Sequence, residues 1–176
     1  SVMLPTLSAH QDNKKRVKEI MRRAIITSSF LIFPVMVGLA VVAEPLIRII
    51  LTDKWLPSVP FLQIFCFSFA LWPIHTANLQ AINAIGRSDI FLRLEIIKKI
   101  IGLIIFGISL PFGAYAIALG QLFSGIISTF INAYPNKNLL DYSYKEQWLD
   151  IIPSLLIAII MGSIIYIFNF LRFAYW

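Results

Sequence analysis

Polar side chains are scarce in this sequence, and the residues that usually carry chemistry are scarcer still. A single cysteine, Cys66, lies within an apolar run, which leaves no partner for a disulfide and reads as a small packing residue. The two histidines, His10 and His75, are far apart and lack the spacing of a metal site. No phosphate-cradling glycine loop, serine elbow or kinase signature occurs. The nine acids fall mostly at the ends of apolar runs, with no pair set for acid and base work on one substrate. These absences predict a chain that is not an enzyme and takes neither metal nor cofactor. No internal repeat or low-complexity tract interrupts it.

What is present is hydrocarbon. Hydrophobic residues make up 59% of the 176 positions and the mean hydropathy is +0.80, well beyond the apolar share of an ordinary water-soluble domain. Residues 13 to 23 hold six cations, and residues 24 to 43 hold no charge and eleven Leu, Ile, Phe or Val. Each such apolar residue favours insertion by roughly 0.3–0.6 kcal/mol near a helix centre. Crossing a membrane takes about 20 residues of helix, and bare backbone cannot sit in lipid, so the predicted fold is an all-α polytopic membrane helix bundle.

About five spans are expected, at 24–51, 60–85, 90–110, 111–134 and 149–171, with cytoplasmic segments at 1–23, 86–89 and 135–148. Ser8 with Gln11 and Ser143 with Glu146 match capping-box spacing and predict helix starts just after each serine. Pro57 and Pro111 stand where helices could begin, whereas Pro34, Pro73 and Pro153 fall inside spans and predict kinks. Trp55, Trp148, Tyr134 and Trp176 lie near span ends, as interfacial aromatics do.

Sidedness follows from the fifteen lysines and arginines. Twelve fall in the first segment and around the loops at 84–99 and 135–148, leaving Arg48, Lys54 and Arg172 on the other side. The positive-inside rule therefore predicts that the cation-rich side, including the N-terminal end of this sequence, faces the cytoplasm. Topology accounts for the pI near 9.6, so nucleic acid is not an expected partner; anionic membrane lipids are, at Lys14 to Arg23. The sequence starts without Met in a cytoplasmic segment and stops just past the fifth span, and it reads as a piece of a longer protein.

The candidate functional residues are the polar groups inside the spans. Thr76, Gln80, Asn83 and Arg87 recur at steps of four, three and four, forming one stripe of a helix, with His75 and Asn78 on a neighbouring face. Such a stripe serves either interhelical hydrogen bonding or a hydrated pathway for a polar substrate. Glu44 and Arg48, four apart, predict a local ion pair. Only Ile100 to Leu110 separates Lys99 from Pro111, about 16 Å of helix against about 30 Å of hydrocarbon. To span, that helix must draw in Arg93, Glu95, Lys98 and Lys99. Either Glu95 pairs with Lys98 or Lys99 while the cations snorkel, or this end lines a cation-rich cytoplasmic vestibule.

The order of "LPTLSAHQDN", "AEPLIRIILTDKWLP", "GRSDIFLRLEIIKK" and "NAYPNKNLLDYSYKEQWLDI" resembles the later helices of Wzx-type polysaccharide or O-antigen flippases. These belong to the multidrug, oligosaccharidyl-lipid and polysaccharide exporter superfamily. The resemblance implies a two-lobed exporter of the bacterial inner membrane. Its expected cargo is an oligosaccharide linked through diphosphate to undecaprenol, moved from the cytoplasmic to the periplasmic leaflet for polysaccharide or lipopolysaccharide biosynthesis. It also implies an N-terminal lobe, absent from this sequence, as a partner of the fragment. The alternatives are a cation-coupled multidrug or small-metabolite antiporter of that superfamily, or a segment of a membrane glycan polymerase or glycosyltransferase.

Overall fold

In a computed structural model the backbone is described for residues 3–10 and 13–174, with side chains for these except 3, 4 and 169–174. Gln11 and Trp176, two residues named above, lie outside the described residues, as does the side chain of Arg172. The elements are α1 (Met3–Ser8), α2 (Lys14–Val41), α3 (Ala43–Leu51), a 3-10 turn (Asp53–Ser58), α4 (Val59–Ala70), α5 (Trp72–Ala84), α6 (Ser88–Ser109), a second 3-10 turn (Leu110–Phe112), α7 (Ala114–Leu140) and α8 (Tyr144–Ala174). Among the described residues there is no strand.

Among the described residues four segments are long and apolar enough to cross a membrane: Lys14–Val41, Asp53–Ala84, Ala114–Leu140 and Tyr144–Phe168. Large apolar side chains that water would reject are left on the outside; Leu31, Val35, Leu103, Ile108 and Ile160 are all more than half exposed. This is an all-α, multi-pass membrane protein. The 22 residues of α6 rise about 33 Å, enough to cross, but its charges set it apart from the other four.

Proline decides where the long runs break. Pro45 has no N–H, and its ring crowds the carbonyl four residues back, at Val41; α2 ends there and α3 begins at Ala43, so the expected 24–51 helix is two rods. Pro73 acts likewise on Phe69, and the 60–85 run divides at Leu71 into α4 and α5. Pro34 and Pro153 stay within α2 and α8. Pro57 and Pro111 sit in the 3-10 turns just ahead of α4 and α7.

Three boundaries differ from expectation. The first concerns Ser8, which closes α1; α2 starts instead at Lys14, where the Asn13 side chain accepts from the Arg16 N–H at 3.1 Å. The basic run is thus helical and continuous with the first span. The second concerns α7, which passes Tyr134 and Pro135 and runs to Leu140. Beyond the proline it is held by fully buried Asn136, and it closes when left-handed Asp141 lets the Tyr142 N–H reach the Asn136 carbonyl at 3.3 Å. The third is the division of the first two spans just described. The box at Ser143 forms as predicted: the Glu146 N–H donates to Ser143 Oγ at 3.3 Å, and the Ser143 N–H donates to Glu146 Oε2 at 3.0 Å.

The core gathers around α2, which buries Val17, Met21, Ile25, Ser29 and Phe33, every fourth residue, against α5 and α8. At the basic end, Lys18 pairs with Glu146 at 3.4 Å and Arg22 with Asp150 at 2.6 Å, tying α2 to α8. Tyr142, fully buried, donates its hydroxyl to Asp150 at 2.7 Å, and its ring lies 5.4 Å from Lys18 Nζ. Burial and the Asp150 carboxylate push the Tyr142 hydroxyl far above the usual tyrosine range, so it remains a donor.

At the other end of this helix pair, a Cβ on Gly162 would lie 2.5 Å from Val37 Cγ1, and valine is stiff in a helix. Gly162→Ala should therefore destabilise the detergent-solubilised protein by about 1–3 kcal/mol. Thermal unfolding should show most of that loss restored in Gly162→Ala/Val37→Ala.

Candidate functional site

The break at Leu71 turns the start of α5 toward α6 and α7, and between these helices lies a cavity of about 640 Å³. From α4 and α5 come an aromatic wall of Phe69 and Trp72, and His75. From α6, at helical spacing, come Glu95, Lys98, Lys99, Gly102 and Phe106. From α7 come Gln121, Ser124, Ser128 and Thr129. Its size is that of a small-molecule site, and its lining joins apolar rings to a few polar groups.

Charge inside the cavity is mostly cancelled. Lys98, although cationic, is buried, and its Nζ bonds directly to Glu95 one turn earlier. Lys99 is exposed and makes no ion pair among the described residues, so the wall carries one net positive charge. The expected choice between pairing and a cation-rich vestibule has a mixed result: Glu95 pairs with Lys98, and Glu95, Lys98 and Lys99 also share the cavity. Arg93 is exposed and does not line it.

His75 connects the cavity to the helix interior. Its ring lies 6.0 Å from that of Trp72 with 25° between planes, and Asn132 Nδ2 on α7 is 2.9 Å from its Nδ1. Behind it lies a cluster of buried amides. Asn78 and Gln147 exchange two hydrogen bonds, 2.7 and 3.1 Å, and Asn136 donates to Asn78 Oδ1 at 2.7 Å. Asn78, Asn132 and Asn136 are fully buried and Gln147 nearly so. Each interhelical bond of this kind contributes about 0.6 kcal/mol within a membrane, and together they join α5, α7 and α8.

The other predicted pathway residues lie apart from the cavity. Thr76 and Asn83 are half-buried and do not line it. Gln80 is also half-buried, with its Oε1 enclosed and without a hydrogen-bond partner. Arg87 is exposed and donates through Nε and Nη2 to Asp89, both at 3.0 Å; this holds the Asp89 carboxyl at about 2. Of the six residues named on α5 and its end, only His75 reaches the cavity, and Asn78 joins the amide cluster. Gln121, Ser124, Ser128 and Thr129 were missed from sequence. Their steps of three, four and one do mark one face of α7, but single hydroxyls in an apolar helix look like ordinary packing.

Replacing Glu95 with Leu would leave the Lys98 ammonium buried without its carboxylate. That change should cost roughly 2 kcal/mol or more in thermal unfolding, while Glu95→Leu/Lys98→Met should recover most of it.

Comparison with known proteins gives a consistent relationship. The family described as "Polysaccharide biosynthesis protein" matches residues 1–60. A Klebsiella pneumoniae protein named "Uncharacterized membrane protein in cps region" is 24% identical over 168 residues, covering 90% of this chain and 35% of the relative. The Escherichia coli K12 "Lipopolysaccharide biosynthesis protein WzxC" is 24% identical over 174 residues, covering 93% of this chain and 35% of the relative. The chain thus spans about a third of the length of these curated relatives. No solved structure matches at a significant level. Across nearly all of its length, the chain is similar to Wzx-type membrane proteins of polysaccharide and lipopolysaccharide biosynthesis.

Proposed function

We propose that this chain is part of a bacterial inner-membrane transporter that flips undecaprenyl-diphosphate-linked oligosaccharide from the cytoplasmic to the periplasmic leaflet. The observation that carries the reading is the cavity between α4–α5, α6 and α7, where an aromatic wall faces amide and hydroxyl groups. A glycan presents ring C–H faces to aromatic side chains and hydroxyls to amides, and such a lining meets both. With Lys98 neutralised by Glu95, Lys99 alone is left to attract an anion, so the cavity suits the sugars of the head better than its diphosphate.

Topology supports the same reading. Counting α6 as a span gives five crossings and puts Lys14 to Arg23, Arg87, Lys137 and Lys145 on one side, taken as cytoplasmic. Glu95 then enters the hydrocarbon with its own counter-ion, which is how a charged group crosses at modest cost. The antiporter reading needs an acid free to exchange a cation, and the one acid that lines the cavity among the described residues, Glu95, is engaged by Lys98.

In the full-length protein, Trp72→Ala and Gln121→Ala should each lower surface polysaccharide about tenfold, the equivalent of about 1.4 kcal/mol, and should accumulate the lipid-linked precursor. Arg87→Ala, outside the cavity, should leave export unchanged. Normal export by both cavity variants at normal protein level would reject the role given to the cavity. Single cysteines at Lys54 and Lys137 test sidedness: an impermeant thiol reagent applied from the periplasm should label only the first.

A further inference from the structure

A second concavity lies on the outer face of the bundle, between α7 and α8. It encloses about 510 Å³ and is lined by Phe130, Tyr144, Lys145, Trp148, Leu149 and Ile152. Its floor is rigid aromatic surface. The rings of Phe130 and Trp148 stack at 6.1 Å and 29°, and Tyr144 meets Phe130 edge-on at 6.3 Å and 71°. Apart from Lys145, the lining is apolar or aromatic.

The two helices grade from apolar to basic toward the same end. On α8, Ile152 lies about 10 Å deeper than Lys145 at helical rise. On α7, joined to it by a short turn and running the opposite way, Phe130, Tyr134 and Lys137 follow at steps of four and three on one face. Lys137 and Lys145 are exposed, and neither forms an ion pair among the described residues. The acids nearby on α8 are directed elsewhere, Glu146 to Lys18 and Asp150 to Arg22, both on α2. Asp141, exposed in the turn that joins the helices, lies outside the groove lining and forms no ion pair among the described residues, so this end keeps a net positive charge beside the groove, followed inward by amphipathic rings and then by aliphatic side chains.

That sequence of surfaces is complementary to one molecule, an anionic lipid standing in its leaflet. We propose that the groove between α7 and α8 is a binding site for an anionic glycerophospholipid, its phosphate at Lys137 and Lys145 and an acyl chain along Phe130, Trp148 and Ile152. A packed helix would match the site only if it also brought carboxylates of its own to Lys137 and Lys145, whereas an anionic lipid supplies charge and chain together. The site is separate from the cavity, and the proposal holds whatever the transporter carries.

The full-length protein, purified in neutral detergent, can be offered phosphatidylglycerol and phosphatidylcholine with identical chains and followed by native mass spectrometry. Phosphatidylglycerol should be retained in preference. Lys137→Gln/Lys145→Gln should weaken its retention roughly thirtyfold while sparing phosphatidylcholine, about fivefold for each lysine. The charge-matched control Lys14→Gln/Lys15→Gln on α2 removes cations that attract headgroups with no groove beside them, and should weaken retention far less than the groove pair does. Since all four lysines are exposed, the variants should unfold at the parent temperature in phosphatidylcholine. Equal retention of the two lipids, indifference to Lys137→Gln/Lys145→Gln, or an equal loss in the α2 control would overturn the proposal. So would efficient disulfide crosslinking of Leu149→Cys to a second copy in lipid, which would make the groove a protein interface.

Discussion

Hydrocarbon has no hydrogen bond to offer, so polar side chains carried into these spans are drawn toward one another. That constraint organises the molecule. Asn78, Asn132, Asn136 and Gln147 are buried together, each within reach of another, instead of being scattered along lipid-facing surfaces. Lys98 enters beside Glu95 for the same reason. The helices that supply these groups are thereby fixed in rotation and register, because a turn of one residue would carry an amide away from its partner.

The bundle has two kinds of cement in different places. Between α2 and α8, ion pairs and a buried tyrosine hold the basic end, and close contact of Gly162 with Val37 holds the far end. Between α5, α7 and α8, side-chain amides do the joining. Around the cavity neither is dense: the Glu95–Lys98 pair lies within α6, and the rest of the wall is mainly rings, hydroxyls and the Gln121 amide. Space for a ligand survives where cross-helix bonding is thinnest.

Much of this was legible in the sequence, and the reasons are local. An uncharged run after six cations announces a membrane helix whatever lies around it, and Ser143 with Glu146 is a four-residue geometry that needs no tertiary context. The Glu44 and Arg48 pair is equally local, at 3.0 Å. The division of the long runs was half legible: Pro73 marked the break at Leu71, but Pro45 sat in what read as an unbroken helix and ends it at Val42. What the sequence did not disclose was which face of α5 meets which neighbour. Periodicity put Thr76, Gln80, Asn83 and Arg87 on one stripe, yet it cannot say whether a stripe turns to a cavity, a core or an outer surface. His75 and Asn78, three residues apart on one side, divide the roles: one opens to the cavity and the other closes the core.

The interruption at Leu71 has a mechanical meaning. Because α4 and α5 do not share a continuous ladder of hydrogen bonds, bending at that joint breaks none of the regular bonds within either rod. Amide bonding anchors α5 to two neighbours, whereas among the described residues the one side-chain hydrogen bond from α4 to another helix runs from Gln63 to the Ala40 carbonyl. Both halves pack against α2 and α7, but they are unequal in the bonding that holds them, amides for α5 and mainly apolar contact for α4, with Trp72 at the elbow.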